Sequence, residues 1–164
     1  MNKLRIRYQQ INDAKRFCEI LNHPDFVYFP AKPKSVKEER DFLRKNTKLR
    51  QDKLCYNYSV LLNDQVVGAI GIKVSPHYPE GCEIGYFVDR KCWGKGIASS
   101  AVQLIENVCF EDLGMHRIEI ITLKQNKASV RVAEKCGYRK EGIQKQKVKH
   151  EGKWADVYLF AKVK

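Results

Sequence analysis

The run Glu83-Ile84-Gly85-Tyr86-Phe87-Val88-Asp89, followed after three residues by Trp93-Gly94-Lys95-Gly96-Ile97-Ala98, decides how the chain is read. Its first half is apolar and β-rich, which predicts a strand. Its second half is a glycine-rich turn. From there Ile97, Ala101, Leu104, Ile105 and Val108 form one apolar stripe at helical spacing, and Gly114 is a natural stop. A glycine turn between strand and helix gathers free backbone N–H groups at the positive end of a helix dipole, which suits a phosphate or pyrophosphate. Gly94 and Gly96 allow close approach of the backbone, and Lys95 adds charge. The pattern is not a Walker A loop, which needs Gly-Lys-Ser/Thr after the intervening residues. Nor is it a dinucleotide fingerprint, because Ser99 stands where glycine or alanine belongs. On the residues alone, a tight turn that binds nothing stays open.

Working outward, Leu4, Ile6 and Tyr8 alternate with Arg5 and Arg7, an opening strand. Asn12 is placed to cap a helix carrying Ala14, Phe17, Cys18 and Leu21, which His23-Pro24 ends. Ser35-Val36-Lys37-Glu38 is a capping-box pattern and starts a second helix running to about Leu49. Tyr56 to Leu62 and Val66 to Val74 form a hairpin about Asn63-Asp64. Arg117 to Leu123 is a strand, and Asn126 to Cys136 a short helix closed by Gly137. Tyr138 to Lys149 and Trp154 to Val163 make a last hairpin about Glu151-Gly152. The order predicts a mixed α/β (α+β) chain, with residues 1–164 as a single domain free of linkers and repeats.

Composition bounds the function. The chain has 164 residues, 43% hydrophobic and 30% charged, so it can build a core without metals or staples. The apolar run Val66 to Ile72 is far short of a membrane span, and the N-terminus lacks a signal-peptide core. A cytoplasmic protein is expected. Six scattered cysteines include no Cys-x-x-Cys pair, and four histidines lie far apart, so no metal site is expected. The net charge of +12 concentrates in Lys32–Lys53 and Arg139–Lys164. Such patches attract polyanions, including RNA or a phosphate-rich cofactor, but a solvated basic surface explains them equally well.

The opening stretch resembles the GNAT acyl-CoA N-acyltransferases, most closely their RimJ/RimL-like branch. Leu113-Gly114-Met115-His116-Arg117-Ile118, Asn126-Lys127-Ala128-Ser129 and Glu134-Lys135-Cys136-Gly137-Tyr138 extend the resemblance in the family's order over nearly the whole chain. It implies a GNAT fold, a central mixed, mostly antiparallel sheet flanked by about four helices. It also implies acetyl-CoA as cosubstrate. The family loop Gln/Arg-x-x-Gly-x-Gly/Ala maps onto Trp93 to Ala98, with Trp93 replacing the polar residue. By the same resemblance, backbone groups near Phe87 and Val88 pair with the pantetheine arm. The amides of residues 94 to 99 (Gly94, Lys95, Gly96, Ile97, Ala98, Ser99) hold the pyrophosphate, Asn126 touches the cofactor arm, and Lys95 and Arg131 meet the CoA phosphates.

The chemistry needs a neutral amine, because a protonated one cannot attack a thioester, and a donor for the departing thiolate. Glu83 matches the glutamate that many family members use as base; its structural alternative is an exposed acid paired with a cation. Many members carry a tyrosine seven residues after the asparagine, but here that position is Ala133. Ser129 matches the serine that RimL-like enzymes place near the cofactor sulfur, and it also suits a helix cap. Tyr28, Phe29, Tyr86 and Trp154 are candidates to line the acceptor cleft. The expected reaction is direct attack in a ternary complex by a primary amine, foremost a protein or peptide N-terminal α-amine of an acidic or ribosomal protein. A polyamine or antibiotic acceptor, and a non-catalytic CoA- or RNA-binding protein, are the alternatives. Neither membrane association nor direct nucleic-acid binding is expected, and a homodimer is left open.

Overall fold

A computed structural model describes residues 3–29 and 32–164, so the reading of Met1 and Asn2 falls outside it. Strands β1 (Leu4–Tyr8), β2 (Cys55–Leu62), β3 (Gln65–Val74), β4 (Gly81–Val88), β5 (Arg117–Leu123), β6 (Arg139–His150) and β7 (Lys153–Val163) form one sheet. Its order is β1-β2-β3-β4-β5-β7-β6. Every neighbouring pair is antiparallel except β4 and β5. The hairpin between β2 and β3 turns on Asn63 and Asp64, both at positive φ (49° and 67°), the left-handed backbone that a two-residue hairpin needs. Glu151 and Gly152 do the same between β6 and β7.

Helices α1 (Ala14–Leu21), α2 (Val36–Arg44) and α3 (Asn46–Gln51) precede β2; α4 (Ile97–Asn107) and α5 (Lys127–Lys135) flank β5 in sequence. Strand alternation sends side chains to two cores. Ile70, Ile72 and Ile84 join Val102 and Ile105 of α4, whereas Ala69 packs with Phe17 and Leu43 beneath α1 and α2. The architecture is the mixed, mostly antiparallel sheet flanked by helices that the sequence predicts.

Three local expectations are corrected. Asn12 does not cap α1: it is exposed within a 3-10 turn, Ile11–Asp13, and the buried Asp13 carboxylate accepts the Gln10 N–H instead, at 2.9 Å. The second helix breaks at Lys45, beside Asn46, whose buried amide bridges Gln9 (2.7 Å) and Asn57 (2.9 Å) and so fixes α3 against β2. The strands β6 and β7 are bulged between Gln144 and Val148, where Gln146 adopts φ 49° and its N–H reaches Asp156. All six cysteines are free, Cys82 and Cys109 facing one another at 3.8 Å in the core. Among the described residues no helix is long and apolar enough to cross a membrane.

Asp13 ties the first strand to the sheet. It is 5% exposed and accepts from Arg7 (2.7 and 2.8 Å), Ser59 Oγ (2.6 Å) and the Gln10 N–H. Burial alone would raise its pKa, but these donors together hold the carboxyl below its ordinary value. A folded pKa below the unfolded one gives stability that is complete above the ordinary carboxylate range and lost as pH falls through the folded value. Asp13→Ala is therefore expected to lower the unfolding free energy by about 2–3 kcal/mol near neutral pH. In urea titrations the gap from the parent should narrow in acid; a gap independent of pH would refute the assignment.

Candidate active site

β4 and β5 share only three rungs, Gly81/Arg117, Cys82/Ile118 and Glu83/Glu119. Beyond them Ile84–Val88 stays paired to β3, and Ile120–Leu123 to β7, but the two strands no longer pair with each other. The wedge between them opens a cavity of about 680 Å³. Residues 83–86 form one wall and 120–123 the other, with Asn126 and Ser129 of the α5 start. Val27, Tyr28, Phe29 and Lys32, from the segment before α2, and Val148 to Glu151 of the last hairpin complete it. Backbone left unpaired in a cavity must find another partner, and an extended amide-bearing chain supplies one.

The wedge joins the two faces of the sheet. Residue parity puts Glu83 on the same face as Phe87, which packs edge-on to Phe17, Phe26 and Phe29 under α1. Tyr86 is on the opposite face, packed toward the core beneath α4 and α5. The carboxylate therefore approaches from the α1–α2 side and the Tyr86 hydroxyl from the α5 side.

Glu83 is half-buried at the last shared rung, and no hydrogen bond or ion pair among the described residues reaches its side chain. Burial raises its pKa; Lys73 and Lys147 oppose this, while Glu119, its rung partner on β5, adds to it. Glu119 is itself held by Arg117, which grips Glu141 as well. A carboxylate without a dedicated cation, raised toward neutrality, has the properties of a general base.

Asn126 caps α5, its Oδ1 accepting the Ser129 N–H at 3.1 Å. Its amide nitrogen makes no hydrogen bond among the described residues and is available to a ligand. Ser129 is thus fixed in the first helical turn, and its Oγ lies 3.0 Å from the Tyr86 hydroxyl. Tyr86 lines the cavity, its polar end spent on Ser129. Burial pushes its phenol up to about 12, so it is a neutral donor at physiological pH.

The glycine turn lies at the far end of β4. Gly94 and Gly96 have φ of 73° and 76°, the left-handed region that a side chain resists. Gly96 is the N-cap of α4 and no side chain caps that end, so the first-turn amides after it are free to meet an anion. Lys95 and Arg131 are exposed, and α4 packs beside α5. Trp93 holds the turn in place. Its indole N–H donates to the Val88 carbonyl at 2.7 Å and its ring packs on Phe26, which pins the turn to the strand end. Ile97 and Ala98 are half-buried at the helix start, and Ser99 is buried, its carbonyl facing the Cys136 thiol.

Of the acceptor candidates, Tyr28, Phe29 and Tyr86 line the cavity and Trp154 does not. Trp154 is 59% exposed near the hairpin tip, with Lys149 over its ring. Lys149 and His150, beyond the bulge in β6, line the cavity instead, and the His150 ring lies 5.7 Å from that of Tyr28, tilted by 31°. Those residues, and Lys32, carry no sequence signal beyond charge. No cluster of metal-ligating side chains occurs among the described residues.

Comparison with known proteins agrees with this geometry. The model of the acetyltransferase (GNAT) domain family matches residues 3–139. The chain is 29% identical to an uncharacterized N-acetyltransferase, p20, of Bacillus licheniformis, over 99% of this chain and 93% of that one. It is 27% identical to the ribosomal-protein-serine acetyltransferase of Escherichia coli (strain K12), over 99% and 88% of the two chains. Among solved structures, that of Mycobacterium smegmatis RimJ in complex with CoA-disulfide superposes with a TM-score of 0.89 at 24% identity, covering 98% of this chain and 81% of that one. An anion-ready turn, a splayed parallel pair and a match across most of its length place the chain in the GNAT family, as an acetyl-CoA-dependent N-acetyltransferase.

Proposed function

We propose that residues 1–164 form a single domain that moves the acetyl group of acetyl-CoA to the N-terminal α-amine of a protein or peptide, by direct attack in a ternary complex. The observation that carries this reading is the wedge open to both faces of the sheet, with Glu83 on one side and Ser129 on the other. In this reading the pantetheine arm extends the unpaired edge of β4 near Phe87 and Val88, and the amides from Gly94 to Ser99 receive the pyrophosphate. Lys95 and Arg131 neutralise phosphate charge, and the free amide of Asn126 donates to the arm. The amine enters past Tyr28 and Phe29. Glu83, directly or through water, takes its proton, and holding the reactants together lowers the barrier further.

Two features support a protein acceptor. The Escherichia coli relative is named for acting on a ribosomal protein. The charge of +12 repels a polycationic amine and attracts an acidic or ribosomal surface. Thiol release from acetyl-CoA is expected to be fastest with N-terminal peptides in a panel that also holds polyamines and aminoglycosides. Preference for a polyamine would overturn the acceptor assignment.

Two substitutions test the machinery. Glu83→Gln should lower kcat by about 10²-fold with acetyl-CoA affinity retained. Because burial raises the Glu83 pKa above its ordinary value, the parent's rate should show an acid-side loss, as pH drops through the raised value, that the variant's lacks. An unaltered pH–rate profile would remove Glu83 from the mechanism. Gly96→Asp puts a side chain at φ 76° and a negative charge where an anion should bind. Calorimetric affinity for acetyl-CoA should fall at least about tenfold, since an ionic hydrogen-bonded contact is worth that much; unchanged affinity would move the phosphate site elsewhere.

A further inference from the structure

Ala133 is fully buried in α5, at the position where many GNAT enzymes carry a tyrosine, so that helix presents no phenol to the cavity. A phenol reaches the start of that helix from the opposite wall. The Tyr86 side chain crosses from β4 to the start of α5, and its hydroxyl lies 3.0 Å from Ser129 Oγ and 3.4 Å from the Ser129 carbonyl. The shorter contact joins two hydroxyls, each able to donate or accept. The Asn126 cap fixes the backbone of Ser129, so the serine's remaining freedom is the rotation of its own side chain and hydrogen.

We propose that Tyr86 is the positioning residue for the leaving thiolate: it donates its hydroxyl hydrogen to Ser129 Oγ, and thereby turns the serine hydrogen toward the departing sulfur. The inference rests on the reading of Ser129 as the group beside the thioester sulfur. In the transfer, the amine nitrogen forms a bond to the acyl carbon and the carbon–sulfur bond breaks, its electron pair staying on sulfur. The amine's surplus proton goes to Glu83 or water. Ser129 donates a hydrogen bond to the new thiolate, and Tyr86 strengthens that donor by polarising its oxygen. The thiolate takes its final proton from solvent, so neither hydroxyl is consumed. An ionised phenol would reverse the pair: it could only accept, the serine hydrogen would point to it, and the sulfur would lose its donor. Burial of Tyr86 keeps the phenol protonated through the working range. The charged or titratable groups around it are Cys136 behind the pair and Glu83, Lys32, Lys149, His150 and Glu151 on the cavity wall.

The test begins with Tyr86→Phe, which removes one oxygen and keeps the ring. Its kcat should fall about tenfold, the worth of one strengthened hydrogen bond, with the acetyl-CoA KM and the melting temperature near those of the parent. Tyr86→Phe combined with Ser129→Ala should be no slower than Ser129→Ala alone, because Tyr86 acts through the serine. A pH readout separates positioning from packing. Replacing Tyr86 by 3,5-difluorotyrosine keeps the hydroxyl but acidifies it. The substituted enzyme should match the parent near neutral pH and show a new alkaline loss of kcat that the parent lacks. Titration of the other groups is common to both proteins. Parental kcat in Tyr86→Phe, additive losses in the double variant, or coincident alkaline profiles would each overturn the proposal. Those outcomes presuppose a working parent; a parent that neither binds acetyl-CoA nor releases thiol would instead overturn the underlying functional reading.

Discussion

A parallel strand pair that stops pairing halfway along governs this molecule. β4 and β5 hold each other through Glu83 and Glu119 and then diverge, each kept in place by its outer neighbour. Breaking a ladder inside a sheet leaves polar backbone without partners, a cost that a folded protein tolerates only where something else fills the role. The neighbouring elements are arranged around that gap. α4 starts from a glycine turn at its far end, α5 starts beside its wall, and the segment before α2 and the final hairpin close its other side.

The gap also sorts the chemistry by face. Alternation along β4 gives Glu83 to the side of α1 and Tyr86 to the side of α5, only three residues apart in sequence. A base that receives a proton from the acceptor and a donor that meets the leaving group must approach the reacting carbon from different directions. In the proposed mechanism β4 carries Glu83 on one face and, on the other, the Tyr86 that orients the Ser129 donor, because its side chains alternate. The anion turn follows the same economy of placement, with the Trp93 indole fastening it to the last carbonyl of β4.

Much of this was legible from the residues. The two hairpins, the glycine turn and the helix after it are written in local patterns, and the order of motifs from Glu83 to Tyr138 carries the family. The misreadings share a cause. Asn12 suits a helix cap by type, but the turn before α1 is held by Arg7 and Ser59, which arrive from the sheet to meet the Asp13 carboxylate, and no side chain among the described residues caps α1. The helix break at Lys45 follows from a buried Asn46 that bonds to residues remote in sequence. Which hairpin residues line the cavity is likewise set by register: Lys149 and His150, beyond a bulge three residues wide, line it, and Trp154 lies outside.

The sequence by itself determined the order of elements, the phosphate-ready turn and the family, because each is carried by neighbours along the chain, and the family resemblance in turn made Glu83 and Ser129 candidates. The tertiary structure alone decided which of the aromatic residues face the cavity, that Tyr86 meets Ser129 across it, and that the Glu83 side chain has no hydrogen bond or ion pair among the described residues. Those are contacts between strands and helices far apart in sequence. Their geometry depends on register, bulges and the point where two strands part, and no local pattern encodes it.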